Sequence, residues 1–365
     1  MMEKPDLIKT ALHEKHLELG AKMVNYSGFD MPVSYDGLKV EHTSVREHVG
    51  MFDVSHMGEF TLKGKDALML LQNITTNDVS NLSDGKIQYS CMPNGKGGIV
   101  DDLLIYRMSE GNYMLVVNAS NMDKDWAFIE NKIKDGGYNV TFENKSDDLA
   151  LIALQGPNAT DTLSPLMTAN PGELAYYTFI SADILGVECI VSATGYTGAG
   201  GYELYIPGEH SGRVWSKLLE NGVTPCGLGA RDTLRMEMGF CLYGNDIDET
   251  TNSIEAGLGW ITKFTKDFTD KNILEKIKAE GPLRKLKGLK MLGRGIPRKG
   301  YEVVTPSGEV VGEVTSGTMS PTLGYGIGMA YINSEFSKKG NMLSVRIRNK
   351  DIEAEIVKFP FLNKE

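Results

Sequence analysis

Apolar residues recur at helical spacing in several segments of the chain. The clearest segment is 121–134, where four large apolar residues lie four, three and four positions apart: Met122, Trp126, Ile129 and Ile133. That spacing predicts an amphipathic helix. Ser120 and Asp123 predict a capping box at its start, and the glycine pair Gly136–Gly137 predicts its end. The same pattern predicts further helices over 7–19, 211–221 and 228–238.

Short apolar or alternating segments lie between these helices. They predict strands over 58–62, 98–106, 113–118, 150–154 and 187–193. No predicted strand leads into the glycine-rich turn of a dinucleotide-binding fold. Helices interspersed with short strands indicate a fold of mixed α+β layers.

The pattern changes towards the C-terminus. The stretch 271–290 is charged and is predicted to be a helical joint, interrupted at Gly281–Pro282 and at Gly288. From Gly300 onward the sequence predicts almost only strands and turns, with strands over 301–304, 309–314, 324–332 and 342–357. We therefore predict a domain boundary near residue 280. Residues 1–280 would form the first region, and residues 281–365 a small all-β domain.

Composition and charge narrow the class of protein. The 365 residues are 41% hydrophobic and 24% charged, as is typical of a globular protein of two or three domains. The net charge of −10 argues against binding along a nucleic-acid backbone. No apolar run has the length of a membrane span, and the N-terminal residues lack the features of a targeting segment. We expect a cytoplasmic protein without a metal site, since the cysteines are not spaced as zinc or redox pairs: Cys91, Cys189, Cys226 and Cys241.

Two carboxylates interrupt the apolar strand predicted over 98–106. Aspartate is depleted in strands, and side chains alternate along a strand, so Asp101 and Asp102 should point to opposite faces. Asp102 would then share a face with Leu104 and Tyr106. A carboxylate that faces the interior costs free energy unless it has a partner. The pair indicates either a functional carboxylate or an aspartate that caps the preceding turn, and the residues favour neither.

Two more polar residues lie beside glycine-rich segments. Arg231 lies in the first turn of a predicted helix, after the small residues of the segment Gly227–Ala230. It could hold a ligand carboxylate with two hydrogen bonds, or it could pair within the helix surface. Glu203 lies in a strand that follows the turn Gly195–Gly201, and taken alone it is expected to be an exposed strand residue.

Nine short motifs, in order along nearly the whole chain, resemble those of the aminomethyltransferase (T-protein) family of the glycine cleavage system. Each motif is weak alone, but the ordered set is highly specific. The motifs are Gly28–Pro32, Gly50–Gly58, Gly98–Leu103, Leu154–Pro157, Gly195–Gly198, Gly227–Asp232, Leu242–Gly244, Gly295–Tyr301 and Gly312–Gly317.

The resemblance implies a fold and a reaction. The fold would have three domains around a channel that holds tetrahydrofolate, with two α+β domains interleaved along residues 1–280 and a small β-barrel-like domain after them. The reaction would move the methylene carbon of an aminomethyl group from the lipoyl arm of H-protein to tetrahydrofolate. Ammonia and the dihydrolipoyl arm would be released, and 5,10-methylenetetrahydrofolate would form. Neither a nucleic acid nor a membrane is implied as a partner.

The resemblance also implies the site residues. Asp102 matches the family's catalytic carboxylate, which stabilises positive charge near the folate amines, orients the nucleophile and takes a proton. Glu203 matches a glutamate that binds the pterin. Arg231 matches an arginine that either orients Asp102 or contacts substrate. The other implied folate-binding positions are Tyr89, Tyr106, Val116, Asn118, Tyr196 and Met57.

Two positions of the chain depart from the pattern of the family. Ala199 stands where the family usually has glutamate, and no arginine follows Pro360–Phe361. The missing arginine leaves open what holds the folate's glutamate tail.

Two other functions compete with that of an aminomethyltransferase. One alternative is a folate-dependent demethylase of a small methylated donor. The other is a non-enzymatic folate-binding protein, which should carry a Lys-Gly-Cys-Tyr-like motif where this chain has Phe240–Gly244.

A dense basic stretch lies in this otherwise acidic chain. It is either a solvated linker or a surface that steers an acidic H-protein. Its members are Arg284, Lys285, Lys287, Lys290, Arg294, Arg298 and Lys299.

Overall fold

The computed structural model describes residues 6–362 and consists of mixed helices and sheets. The chain forms two compact units, each built from separate stretches of sequence. The first unit comprises the chain up to residue 68 with 81–88 and 103–232, and the second comprises 69–80, 89–102 and the chain from 233 onward. The predicted α+β class with a C-terminal barrel is confirmed.

Most predicted helices are present. The α-helices of the described residues are α1 (His13–Glu18), α2 (Leu38–Glu47), α3 (Ala67–Ile74), α4 (Met122–Gly136), α5 (Ala159–Leu163), α6 (Gly208–Glu220), α7 (Leu228–Met238) and α8 (Lys271–Glu280). The prediction for α7 matches its observed bounds, and α4 ends at Gly137 in a left-handed conformation. The predicted capping box of α4 is wrong, because Ser120 lies in a 3₁₀ turn and the N-cap residue makes no side-chain cap hydrogen bond. Within residues 6–362, no helix has the length and apolar character needed to cross a bilayer.

The first helix is shorter than predicted. α1 begins only at His13, because the residues before it pair with another segment. Ile8 N donates to Gly28 O at 3.0 Å, and Asp30 N donates to Ile8 O at 2.9 Å. The apolar residues near the N-terminus therefore pack from an extended backbone rather than from a helix.

The strands predicted before residue 280 are all present, with ends shifted by three residues or fewer. The strands are β1 (Lys22–Tyr26), β2 (Phe29–Ser34), β3 (Gly50–Asp53), β4 (Gly58–Lys63), β5 (Ile87–Pro93), β6 (Ile99–Ser109), β7 (Asn112–Val117), β8 (Thr141–Asn144), β9 (Leu149–Gln155), β10 (Phe179–Ile184), β11 (Val187–Ser192), β12 (Gly201–Pro207), β13 (Thr224–Pro225), β14 (Arg284–Met291), β15 (Glu302–Val304), β16 (Val310–Met319), β17 (Gly326–Asn333), β18 (Met342–Ile347) and β19 (Lys350–Val357).

Two sheets position the polar residues of the first unit. One has the order β10-β11-β12-β9-β3-β13, and its strands are antiparallel except for the short parallel pair of β3 and β13. A core of buried aliphatic residues and Trp215 of α6 packs with this sheet. The other sheet has the order β5-β6-β7-β4-β8. The chain passes between the two units within β5 and within β6.

The second unit contains a closed barrel with the order β14-β17-β16-β15-β18-β19. The helical joint predicted over 271–290 is wrong for the first strand of this barrel, because Arg284–Met291 is extended rather than helical. Leu286 and Gly288 are buried, whereas Lys285 and Lys287, which alternate with them, are partly exposed. That alternation is the period of a strand, and pairing with β17 and β19 stabilises it.

A buried ion pair lies between α7 and the barrel within the second unit. Arg235 Nη1 is 2.8 Å from Asp246 Oδ2, and both side chains are buried. Arg235 Nη2 donates to Ser316 Oγ at 2.9 Å. Asp246 also accepts from Leu242 N at 2.9 Å and from Thr315 Oγ1 at 2.5 Å. The Asp246 carboxylate is thus buried together with the Arg235 guanidinium and with two further hydrogen-bond donors.

Candidate functional site

Glu203 of the first unit is 7% exposed, so the expectation of an exposed strand residue is wrong. β12 is an interior strand, and every residue from Tyr202 to Ile206 is buried. Pairing with β11 and β9 places Glu203 opposite Ser192 and Ala153. Thr194 Oγ1 donates to Glu203 Oε2 at 2.5 Å, and such a bond to a charged acceptor is among the stronger kinds.

A chain of hydroxyl groups extends from this carboxylate. The hydroxyls of Ser192 and Thr194 are 2.8 Å apart, and the Tyr106 hydroxyl lies 3.2 Å from Ser192 Oγ and 2.8 Å from the hydroxyl of Tyr205. Burial and the charge of Glu203 raise the pKa of Tyr106, so its hydroxyl keeps its proton. The candidate Tyr106 is therefore a fully buried member of the network that supports Glu203.

Arg231 and Tyr196 are in contact within the first unit. The Arg231 guanidinium lies over the Tyr196 ring, 4.9 Å from its centroid, which is a cation–π geometry. Arg231 Nη1 is buried and has no hydrogen-bond partner among the described residues. A buried donor without an acceptor is costly, so this N–H is suited to an anionic group of a ligand.

His56 lies under the influence of the same arginine. Burial and the charge of Arg231 lower the pKa of His56 from 6.5 to about 4, against the opposing effect of Asp53. The imidazole is therefore neutral near pH 7, and its Nδ1 has no partner among residues 6–362. The candidate Met57 follows it in a turn and is partly exposed.

Val116 and Asn118 lie along β7 and just after it. Val116 is buried and stands opposite Glu59 of β4 on one side and Leu104 of β6 on the other. Asn118 is partly exposed. Tyr106 pairs with the residue two positions before Val116, so strand alternation places Tyr106 and Val116 on one face of the sheet.

In the second unit the structure brings Tyr89 and Asp102 together. The Tyr89 hydroxyl donates to Asp102 Oδ2 at 2.8 Å. Burial and the charge of Asp102 raise the pKa of Tyr89 well above its usual value, so the hydroxyl is a permanent donor. Asp102 is partly exposed, whereas Asp101 is fully buried, as alternation along β6 requires.

The turn before β6 is anchored within the second unit, and this fixes the strand that carries Asp102. The backbone N–H groups of Gly95 and Gly97 both donate to Asp270 Oδ2 at 2.9 Å. Asp270 itself has a left-handed φ of 68°, which is uncommon for a residue with a side chain. A Cβ at Gly98 would overlap the carbonyl of Glu249, so only glycine fits there.

Sequence reasoning missed two residues close to these candidates. Trp260 is 63% exposed, and its ring lies 6.2 Å from that of Tyr89. Glu59 is 1% exposed, and its carboxyl is influenced by the charge of Glu203. An acid within the predicted strand 58–62 was the available signal for Glu59, whereas no pattern along the chain links Trp260 to Tyr89.

The chemistry of each group follows from its surroundings. In the first unit, buried carboxyl groups can accept N–H donors of a heterocycle, and the Nη1 of Arg231 can bind an anionic group. In the second unit, a carboxylate held by a neutral tyrosine can stabilise a developing cation or take a proton. Among residues 6–362, no group of three or more histidine, cysteine or acidic side chains is arranged to hold a metal ion.

Comparison with known families accounts for nearly the whole chain. Residues 12–266 match the model of the GCVT N-terminal domain, and residues 284–363 match the glycine cleavage T-protein C-terminal barrel domain. These two domains, in this order, define a class of one-carbon transferases. The chain belongs to the glycine cleavage T-protein family, as the nine motifs indicated.

Full-length relatives specify the activity further. Aminomethyltransferases from Flavobacterium psychrophilum and Bacteroides fragilis are each 51% identical to this chain, and they cover 97% and 96% of it with 99% of their own lengths. The crystal structure of glycine cleavage system aminomethyltransferase T from Bartonella henselae matches with a TM-score of 0.92 at 31% identity, covering 98% of both chains. The chain is therefore an enzyme of the aminomethyltransferase class, a tetrahydrofolate-dependent transferase.

Proposed function

We propose that this enzyme transfers the methylene carbon of the aminomethyl group on the lipoyl arm of H-protein to tetrahydrofolate. Ammonia and the dihydrolipoyl arm are released, and 5,10-methylenetetrahydrofolate is the product. The observation that carries the proposal is the partly exposed Asp102 carboxylate, held by the neutral hydroxyl of Tyr89. The full-length similarity to aminomethyltransferases supports it.

Asp102 would supply the charge and the base that this reaction needs. The aminomethyl sulfide loses ammonia or thiolate to give an iminium-like carbon, and the folate N5 then attacks that carbon. A carboxylate near the folate amines stabilises the positive charge and takes the proton that N5 gives up. The hydrogen bond from Tyr89 fixes the orientation of this carboxylate before the substrates bind.

Glu203 and Arg231 would bind the folate. A carboxylate accepts two hydrogen bonds from neighbouring N–H groups, which suits Glu203 to the ring N–H and 2-amino group of the pterin. The unpartnered Nη1 of Arg231 supports the interpretation that this arginine contacts substrate. Tyr106 would act on the pterin indirectly, through the hydroxyl network around Glu203.

Asp102→Asn tests the catalytic assignment. Asparagine keeps the shape and can still accept from Tyr89, but it lacks the negative charge and is a far weaker base. We expect single-turnover transfer from aminomethylated H-protein to slow by about 10²–10⁴, while tetrahydrofolate binds within a few fold of wild type. Asp101→Asn is the control, since Asp101 points to the opposite face. An inactive Asp101→Asn beside an active Asp102→Asn would show that the assignment is wrong.

The same assay separates this function from a demethylase. Replacing aminomethylated H-protein with a small methylated amine should give no 5,10-methylenetetrahydrofolate. Turnover of the small amine, with H-protein inactive as donor, would favour the demethylase. Tight folate binding without turnover of either donor would favour a binding protein.

For the H-protein we propose a docking surface on the barrel of the second unit, which we call the lysine groove. It is an open cavity of about 310 Å³ lined by Lys285, Lys287, Lys338, Lys339 and Lys358 together with serine and aliphatic residues. Burial, Lys285 and Lys358 lower the pKa of Lys287, as expected where like charges crowd together. Such a surface attracts an acidic partner.

Other members of the basic stretch are engaged inside the second unit. Arg284 forms an ion pair with Glu255 at 3.1 Å and lies over the ring of Tyr331. Lys299 Nζ donates to Gly244 O, and Arg298 Nη1 donates to Gly317 O. The lysine groove is therefore a better candidate for docking than the full stretch predicted from the sequence.

Charge reversal tests the lysine groove. In Lys285→Glu/Lys287→Glu/Lys358→Glu, we expect KM for aminomethylated H-protein to rise about tenfold at low salt and its salt dependence to flatten, with folate affinity unchanged. Lys22→Glu/Lys39→Glu/Lys65→Glu makes the same change in net charge with exposed lysines of the first unit. Equal KM values for the two triple variants would exclude docking at the lysine groove.

A further inference from the structure

Glu59 of β4 is a buried acid whose side chain the protein leaves unsatisfied. The residue is 1% exposed, and Oε1 of its carboxyl has no hydrogen-bond partner among the described residues. Its backbone, by contrast, is paired: Glu59 N donates to Ser146 Oγ at 2.9 Å, and Lys145 N donates to Glu59 O at 2.8 Å. A buried polar oxygen without a donor calls for a ligand, because such atoms in folded proteins are nearly always hydrogen-bonded.

The acids Glu59 and Glu203 influence each other within the first unit. Burial and the charge of Glu203 raise the pKa of Glu59 well above its ordinary value. Three tyrosines face this pair: Tyr205 is affected by both acids, and Tyr106 and Tyr176 are affected by Glu203. Thr194 donates to Glu203 and stabilises its charged form. Of the two carboxyl groups, Glu59 is therefore the one that burial and a neighbouring charge favour in the neutral form.

The position of Glu59 places it among the proposed folate-binding residues. It stands directly opposite Val116, which in turn stands opposite Leu104. Directly opposite residues of paired strands point to the same face, so Glu59 shares a face with Val116 and Tyr106. The unsatisfied oxygen is thus next to residues already assigned to the pterin rather than in a remote part of the core.

We propose that Glu59 is a second pterin-recognition residue, a neutral carboxylic acid whose O–H donates to the 4-oxo oxygen of the pterin. The proposal rests on the proposed function. One edge of the pterin presents the 2-amino group, N3–H and the 4-oxo oxygen in sequence, which is a donor, a donor and an acceptor. An ionised Glu203 beside a neutral Glu59 presents the complementary order of two acceptors and one donor. Two ionised carboxylates would leave the oxo oxygen without a donor.

This arrangement makes Glu59 a determinant of specificity. A 4-amino analogue of the folate places N–H donors where the 4-oxo oxygen would accept the Glu59 proton. Two donors then face each other, and a site built to donate to a carbonyl rejects such an analogue. We therefore expect the enzyme to prefer tetrahydrofolate over tetrahydroaminopterin, which differs from it by this exchange.

Binding titrations of two variants test the donor role. Glu59→Gln keeps a neutral N–H donor, so we expect tetrahydrofolate affinity within about threefold of wild type. Glu59→Leu removes the donor at similar size, so we expect tetrahydrofolate to bind about tenfold more weakly or worse, and tetrahydroaminopterin to bind no more weakly than to wild type. Unchanged tetrahydrofolate binding by Glu59→Leu, or a loss in Glu59→Gln equal to that in Glu59→Leu, would overturn the proposal.

Infrared difference spectroscopy of the ligand-free enzyme tests the neutral acid without any folate. The C=O stretch of a protonated carboxylic acid should be present at pH 7.5 in wild type and absent in Glu59→Gln. Glu188→Gln, which changes an exposed acid of β11, should keep the band. Loss of folate binding by wild type itself would contradict the proposed function and leave the infrared result standing. An identical band in wild type and Glu59→Gln would contradict the neutral acid, even if Glu59→Leu fails to fold.

Discussion

Two buried pairs of ionisable side chains, Arg235–Asp246 in the second unit and Glu59–Glu203 in the first, are built in opposite ways. Asp246 is buried together with an arginine and accepts from a backbone N–H and a hydroxyl as well. Glu59 and Glu203 are buried beside each other; Thr194 Oγ1 donates to Glu203, whereas Oε1 of Glu59 has no hydrogen-bond partner among the described residues. A satisfied pair secures the fold, whereas an unsatisfied pair keeps hydrogen-bonding capacity for a ligand.

This difference predicts which measurement responds to a substitution. Removing one member of the satisfied pair strands a charge in the interior, so the free energy of unfolding should fall. Removing a group from the unsatisfied pair removes little that the folded protein itself uses, so ligand affinity should change instead.

Arg235→Met should have the largest effect on stability. It leaves the Asp246 carboxylate buried without its cation, which typically costs about 3–5 kcal/mol. We expect the urea midpoint to fall accordingly. Arg346→Met is the control, because its ion pairs with Glu302 and Asp351 lie on the surface and should matter far less. Similar midpoints for the two variants would remove the distinction between satisfied and unsatisfied sites.

His56 extends the comparison to a buried base without a partner on Nδ1. Its pKa of about 4 in the folded protein lies below the 6.5 of the unfolded chain, so the unfolded state binds the proton first. The stability contribution is therefore complete above pH 6.5 and is lost as the pH falls towards 4, by about 2–3 kcal/mol. Urea unfolding at pH 7.5 and 4.5 should show a loss of stability that is larger in wild type than in His56→Asn by this amount. The exposed His210→Asn should behave like wild type.

Glu203→Gln should change binding more than stability. It removes the charge and presents an amide N–H₂ to donors of the pterin, which costs about 1.5–3 kcal/mol of binding, or at least tenfold in Kd for tetrahydrofolate. The urea midpoint should stay close to that of Glu188→Gln. An unchanged dissociation constant together with a lowered midpoint would place Glu203 with the structural acids instead.

The sequence could predict local elements and motif positions. The bounds of α7 follow from its apolar spacing and the small residues at its start, and the end of α4 follows from Gly137. Helix was predicted up to residue 290 because lysine and leucine have high helix propensity. The prediction is wrong for Arg284–Met291, because pairing with β17 and β19 makes this segment a strand. Pairing with distant strands thus overrides the helix propensity of this segment, and no neighbouring residue indicates that pairing.

The candidate site divides along the same line. Tyr89 and Asp102 lie on either side of the glycine turn Asn94–Gly98, so their proximity is nearly local. The burial of Glu203 depends on β9, about 50 residues earlier, and the role of Glu59 depends on its register with Val116. Contacts between distant stretches set the burial of these acids, and periodicity carries no information about them.

The anchoring of the turn before Asp102 also determines when this turn can form during synthesis of the chain. The backbone N–H groups of Gly95 and Gly97 need the carboxylate of Asp270 as their acceptor, and Asp270 lies 175 and 173 residues further along the sequence. At about 5–20 residues per second, the ribosome adds that aspartate roughly 10–35 seconds after the turn has been made. Until then the strand that carries Asp102 lacks its anchor, so this part of the enzyme is completed only after most of the polypeptide has been synthesised.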